Sequence, residues 1–346
     1  MQLNATMNKT QPRNPRLHKP KRTVSVIGTG SYVPEKILTN AALEKLVDTT
    51  DEWIMTRTGI KERHIAAAGE HTSDMAAKAA RAAMEQAGVT ASEIDMIIVG
   101  TITPDTVFPN TACHVQKLIG AKRAVCFDLS AACSGFLYGM EIAQQFISSH
   151  MYNTVLVIGA EKLSTIVDWS DRNTCVLFGD GAGAAILRHR PGSHGIIAST
   201  MGADGDYGSI LHMPGGGSRS PVTKENIDER LNTIKMSGKD VYKQAVTAMV
   251  SAANSVLEQS GLRATDLACV IPHQANMRIV EAIVSRLNVP IEKVMVNLDR
   301  FGNTSAAAVA IALDEANRTG RMKRGDYILL VVFGGGLTWA SSVIQW

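Results

Sequence analysis

The 346-residue sequence predicts an α/β fold of two similar halves, each a mostly parallel sheet covered by helices. Two observations carry that prediction. Apolar strand-like runs alternate with helical patterns along the chain, and the second half repeats part of the first. A shift of 173 lays "EQAGVTASEIDMIIVG" over "EQSGLRATDLACVIPH", with Glu85 on Glu258, Gly88 on Gly261 and Ile98 on Ile271. A shift of 169 puts Val125 on Val294 and Leu129 on Leu298, and therefore Cys133 on Gly302, the neighbour of Asn303.

In chain order, the first half shows strand patterns at 24–28, 94–100, 125–129, 154–159 and 184–187, with helical patterns at 73–87 and 134–147. The second half shows strands at 195–199, 267–272, 294–298 and 327–333, with helices at 241–259 and 304–319. The expected organisation is a basic leader at 1–22, an N-terminal half at 23–190 and a C-terminal half at 191–346. With 45% apolar and 19% charged residues, the composition is that of a globular enzyme rather than a disordered or fibrous protein.

The formal charge of +3 comes from the leader: Lys9, Arg13, Arg16, Lys19, Lys21 and Arg22 are there without an acid, and taking those six from 35 leaves 29 basic against 32 acidic residues. A basic nucleic-acid surface is therefore not expected. The leader, with Pro12, Pro15 and Pro20, lacks the apolar stretch of a signal peptide and reads as disordered. No apolar run approaches the ~18 residues of a membrane-spanning helix, and the five cysteines form neither a C-x-x-C pair nor a zinc-type spacing. A reduced, cytoplasmic protein follows, with four of the cysteines acting as small buried hydrophobes.

Cys133 differs from the other four. It lies in "DLSAACSGFLYG", after a buried strand and at the start of a helix, where backbone N–H groups and the helix dipole favour a thiolate. From local pattern alone, a nucleophile and a small residue in a tight turn fit equally well. His273 in "IPHQAN" follows an apolar strand, Asn303 in "FGNTSAA" could cap the next helix, and the glycines 334–336 could form only a turn. Each has a bland reading; together they make a nucleophile, a hydrogen-bonding pair and a backbone able to approach a thioester oxygen. The "GTG" at 28–30 lacks the rest of a dinucleotide fingerprint, since Val33 and Pro34 stand at its end.

Six ordered blocks carry a family resemblance: "DEWIMTRTGIKERHIA" (51–66), "DLSAACSGF" (128–136), "FGDGAGAA" (178–185), "HQANMRI" (273–279), "GNTSAA" (302–307) and "FGGGLTW" (333–339). From about Thr23 to Trp346 the sequence resembles β-ketoacyl-acyl carrier protein synthase III, the initiating condensing enzyme of type II fatty acid synthesis in the thiolase superfamily. The resemblance implies a thiolase-like fold, with two pseudo-twofold-related halves in α-β-α-β-α layers. It implies a catalytic triad of Cys133, His273 and Asn303, and an oxyanion hole from the N–H groups of Cys133 and Gly335. It implies coenzyme A contacts at Trp53, Arg57, Thr58, Arg172 and Asn276, and carrier-protein docking at Lys243 and Arg278. Phe108 would bound the partner's acyl pocket across a homodimer interface. The substrates implied are a short acyl-CoA primer and malonyl-acyl carrier protein, with coenzyme A thioester as substrate and no metal or redox cofactor. A thiolase would need a second catalytic cysteine near "FGGGLTW", and an elongating synthase a second histidine where Asn303 stands.

Overall fold

A computed structural model describes residues 22–192 and 194–346; the leader expected at 1–22 falls, but for Arg22, outside the described residues. The first sheet has five strands in the order Val24–Tyr32, Gly181–His189, Thr154–Glu161, Met96–Gly100 and Val125–Leu129. The second runs Gly195–Ala203, Thr338–Gln345, Tyr327–Gly334 and Leu267–Pro272, and Val294 adds a single parallel bridge to Val270. The same order, counted from the same end, appears in both halves.

The layers follow from which faces are apolar. Met96 and Ile98 face a central core shared with Phe136, Met140, Leu313 and Leu330, whereas Ile97 and Val99 face an outer core with Met75, Ala79 and Ala83. A strand buried on both faces reads as a continuous apolar run. Helices Gly135–Ser148 and Ala306–Arg318 lie between the sheets, Thr72–Ala87 covers the first and Gly238–Ser260 covers the second through Val241, Met249 and Val256. This is the α-β-α-β-α arrangement.

Close backbone approach sets the spacing of the layers. A Cβ at Gly159 would lie 2.1 Å from the Ala306 carbonyl oxygen, and one at Gly100 2.7 Å from the Gly135 carbonyl carbon. Both central helices therefore begin pressed against a bare strand backbone.

Three expectations need correction. The sheets are mixed rather than mostly parallel. Parallel pairing is confined to Met96–Gly100 with its two neighbours and Leu267–Pro272 with Tyr327–Gly334, apart from isolated bridges, while the other pairs run antiparallel. After Gly334 the chain turns within residues 335–337, too short a link for anything but an antiparallel return. The strand so formed, Thr338–Gln345, was not expected from the sequence.

The run 294–298 is not a strand, because the buried Gln274 side chain takes its place: its amide donates to the Met295 carbonyl at 3.0 Å and its oxygen accepts from Asn297 N at 2.9 Å. Leu298 then opens the short helix Leu298–Phe301. All five cysteines are free, but Cys113 and Cys126 are only half-buried.

Gly159→Ala should cost about 1–3 kcal/mol through overpacking, whereas Gly205→Ala, with nothing within 4 Å of the added Cβ, should change stability by less than about 0.5 kcal/mol. Urea midpoints at unchanged slope would show the contrast.

Candidate active site

Cys133 sits on an elbow. The chain leaves Val125–Leu129, passes Ala132 at φ 46 and enters the single turn Ala132–Ser134 that opens Gly135–Ser148. The second half has the same device: Ser305, at φ 49, stands immediately ahead of Ala306–Arg318. Non-glycine residues at positive φ cost energy and persist where the surroundings impose them. Judged from the two elbows, the counterpart of Cys133 is Ala306 rather than Gly302, so the shift of 173 holds here and 169 does not. Asn303 lies just upstream, within the second elbow.

The turn between the last two strands closes on the first elbow. A Cβ at Gly334 would lie 2.7 Å from Cys133 N and 3.1 Å from Ser134 N, so only glycine fits. Thr338 Oγ1 braces the contact by donating to the Ala131 carbonyl at 2.9 Å, with Ser134 Oγ at 3.1 Å. Cys133, Ser305 and Gly335 line one cavity of about 340 Å³, whose apolar wall includes Phe178, Leu211 and Ile234.

Burial pushes the Cys133 thiol up to about 12; hydrogen bonds from Ser305 and from its own amide lower it, and the Glu161 charge raises it. The expectation of a favoured thiolate is thus corrected: desolvation outweighs the helix terminus. Glu161, at the end of its strand, is fully buried and pushed up to about 7, burial outweighing hydrogen bonds from Thr103, Ile102, Ser305 and Thr101.

His273 follows Leu267–Pro272, with its N–H donated to the Val331 carbonyl at 2.8 Å. It is 4% exposed, burial pulls it down to about 4, and Nδ1 has no partner. Asn303 is stitched across the halves: its N–H donates to the Leu177 carbonyl at 2.8 Å and its carbonyl accepts from Gly179 N at 3.1 Å. Its Oδ1 accepts from Ser305 N at 2.8 Å. Because the helix starts at Ala306 with Ser305 before it, Asn303 is not a simple cap. With Oδ1 committed, the carboxamide has its NH2 group to offer as donor. His273 and Asn303 are buried but are not part of the cavity wall.

The Trp53 ring, on the helix Asp51–Thr58, has the Arg57 guanidinium at 4.4 Å and that of Arg172 at 5.2 Å from its centroid. Arg172 is anchored by the Asp48 carbonyl at 3.0 Å. Asn276 donates to the Arg57 carbonyl at 3.0 Å and caps Met277–Leu287, joining this helix to the loop that carries His273. Thr58 closes the same helix. It is 3% exposed, and its hydroxyl donates to the Ile54 carbonyl and accepts from Ile60 N, which holds the helix end.

Lys243 and Arg278 are exposed at separate helices. Phe108 lies outside the cavity, 84% exposed beside Val107 at 94%. Sequence reasoning missed Ser305, Glu161 and Arg63. Arg63, 0% exposed, donates to the Leu38 and Val176 carbonyls and to Asn40 Oδ1 beneath the Asn303 loop. The signal available was an acid ending the apolar run "VLVIGAE".

A family model described as 3-oxoacyl-[acyl-carrier-protein] synthase III matches residues 127–205, and one for its C-terminal part matches 257–346. A β-ketoacyl-[acyl-carrier-protein] synthase III of Caldanaerobacter subterraneus is 58% identical over 94% of this chain and 98% of its own. Its namesake in Desulfitobacterium hafniense is 53% identical over 94% and 98%. The crystal structure of 3-oxoacyl-[acyl-carrier-protein] synthase III from Aquifex aeolicus superposes with a TM-score of 0.87 at 48% identity, covering 93% of this chain and 100% of that one.

Fold and relatives define a condensing acyltransferase of the thiolase type. More narrowly, the chain belongs to the β-ketoacyl-[acyl-carrier-protein] synthase III family, and its reaction is the initiating condensation of fatty acid synthesis.

The buried imidazole gives a pH signature. Between its ordinary 6.5 and about 4, the unfolded chain binds a proton that the folded chain does not, so stability falls as pH drops through that window. The loss should be on the order of 2–3 kcal/mol and much smaller in His273→Gln. Denaturant midpoints of both proteins at about pH 7 and about pH 4.5 test this; Glu161, with its raised carboxyl, acts with opposite sign and cancels in the difference.

Proposed function

We propose that Cys133, His273 and Asn303 carry the two half-reactions between them. Cys133 takes the acyl group from a short acyl-CoA primer, acetyl-CoA or one of similar size. The N–H groups of Cys133 and Gly335 hold the tetrahedral oxyanion as CoA departs. Malonyl-acyl carrier protein then enters, and His273 and Asn303 donate hydrogen bonds to its thioester oxygen as CO2 leaves. The resulting enolate attacks the acyl-cysteine to give a 3-oxoacyl-acyl carrier protein.

The observation that supports these roles best is the closing of the glycine turn on the Cys133 amide, with a Cβ at Gly334 reaching 2.7 Å from that nitrogen. The low value of His273 adds support: a neutral imidazole keeps one N–H to donate and never competes as a cation.

The Trp53, Arg57 and Arg172 cluster reads as the seat of the adenine, with Asn276 beside the pantetheine path. An exposed Lys243 and Arg278 suit an acidic carrier protein. The outward Phe108 and Val107 suit insertion into a second copy, which would make the working unit a homodimer. The division into residues 23–190 and 191–346 is part of the same reading, supported by the repeated strand order. No helix among the described residues is long and apolar enough to cross a membrane, in keeping with a cytoplasmic site of action.

Incubation with acyl-CoA alone should add one acyl mass to Cys133, and Cys133→Ala should abolish it. His273→Ala and Asn303→Ala should still acylate but lose malonyl decarboxylation by about 10²–10³-fold each. Condensation at wild-type rates in either variant contradicts the assignment. Trp53→Ala should raise the KM for acyl-CoA by about 3- to 30-fold with little change in kcat, the worth of a cation–π and stacking contact.

A further inference from the structure

Arg63 is an interior cation that takes no part in the roles above. It stands on the short strand Glu62–Ile65, 0% exposed, and its partners are three oxygens, none of them a carboxylate. Nη1 donates to the Leu38 carbonyl at 3.0 Å and to Asn40 Oδ1 at 2.9 Å, and Nη2 donates to the Val176 carbonyl at 2.7 Å. A buried cation with no anion beside it costs free energy, and a methionine would fill much the same space. What the guanidinium adds is two nitrogens at a fixed separation, one for each of two chain segments.

The segment reached by Nη2 is the one that holds Asn303. Asn303 donates its N–H to the Leu177 carbonyl at 2.8 Å and accepts from Gly179 N at 3.1 Å, so residues 176–179 run beside it, with a parallel bridge between Phe178 and Asn303. The stem of Arg63 lies under both stretches: a Cβ at Gly179 would be 3.1 Å from the Arg63 Cβ, and one at Gly302 would be 3.2 Å from it. The His64 carbonyl accepts from Asp180 N at 2.8 Å and fixes the far end of the segment. On the Nη1 side the anchor is equally firm, since Asn40 is 2% exposed and donates to the Ile60 carbonyl and to Asp51 Oδ1, each at 2.8 Å. With Asn303 Oδ1 taken by Ser305 N, the direction of the Asn303 NH2 group follows from where its backbone is held.

We propose that Arg63 is a positioning residue for Asn303: its two terminal nitrogens pin residues 176–179 to residues 38–40, and the pinned segment aims the Asn303 amide at the malonyl thioester. This role rests on the donor function given to Asn303 above. Arg63 is not part of the cavity wall, so its effect passes through Val176 and its neighbours. The Cys133 elbow is braced separately, by Gly334 and Thr338. Phe178 does line the cavity; a loss through pocket shape would therefore lower both half-reactions, whereas a loss through Asn303 lowers only the second.

The full chain is compared with Asn303→Ala, Arg63→Lys, Arg63→Met and the two double variants. Two rates are read: acylation of Cys133 at saturating acyl-CoA, from intact mass, and release of CO2 from malonyl-acyl carrier protein. Saturation removes any change in KM transmitted through Asn40 and Asp51. Arg63→Lys keeps the charge and the stem but offers one nitrogen where two are needed, so its CO2 release should fall about 10-fold, and that of Arg63→Met about 10²-fold, the scale of a displaced catalytic group. Acylation should stay within about threefold of the wild type in both. In the Asn303→Ala background neither substitution should lower CO2 release further, because the group being aimed is gone. Arg63→Lys carries the test if Arg63→Met fails to fold. Additive losses in the double variants, equal falls in both rates, or wild-type CO2 release by Arg63→Lys overturns the positioning role. Wild-type CO2 release by Asn303→Ala overturns the reading of Asn303 itself, and the positioning role with it.

Discussion

Bare backbone contact between strand and helix is the constraint on which this molecule depends. Gly159 abuts the Ala306 carbonyl and Gly100 abuts Gly135, so each central helix starts where a sheet has no side chain to hold it off. Because both helices are buried between the sheets, their first turns cannot drift, and the elbows ahead of them are fixed to within the tolerance of close packing. The positive φ values of Ala132 and Ser305 are the cost of turning the chain in that space. The stability for it comes from three apolar cores that span the layers.

Desolvation then sets the electrostatics. The same enclosure raises Cys133 and Glu161 and lowers His273. Every titratable group in the site is biased toward its neutral form, a dry arrangement in which a few oriented N–H and O–H donors count for more than they would in water. At the surface the opposite holds. Trp53 with Arg57 and Arg172 presents charge and an aromatic face at one helix, tied to the loop that carries His273 by a hydrogen bond from Asn276 to the Arg57 carbonyl.

Much of this was legible in the sequence, and the exceptions have physical causes. The strands 125–129 and 267–272 were bounded correctly because the strand patterns end there at the polar Ser130 and His273. Strand direction was not legible, since alternation of helix and strand does not say which way a returning strand runs. Thr338–Gln345 was hidden because Ser341 and Ser342 interrupt its apolar pattern, although both are buried; Ser341 is satisfied by the Leu330 carbonyl at 2.9 Å. The false strand at 294–298 had the right composition but lost its pairing to a glutamine side chain far away in sequence. Of the candidate site, the motifs singled out Cys133, Asn303 and the glycine turn, whereas nothing in a sequence reveals that the Thr58 hydroxyl is engaged by its own helix.

The two elbows share a backbone turn but not their side chains. Where the first half carries sulfur at Cys133, the second carries the methyl of Ala306. A polypeptide with two such corners therefore holds one sulfur between them, not two. The second corner presents Ser305 and Asn303 instead, so a backbone repeated in both halves carries no repeat of chemistry.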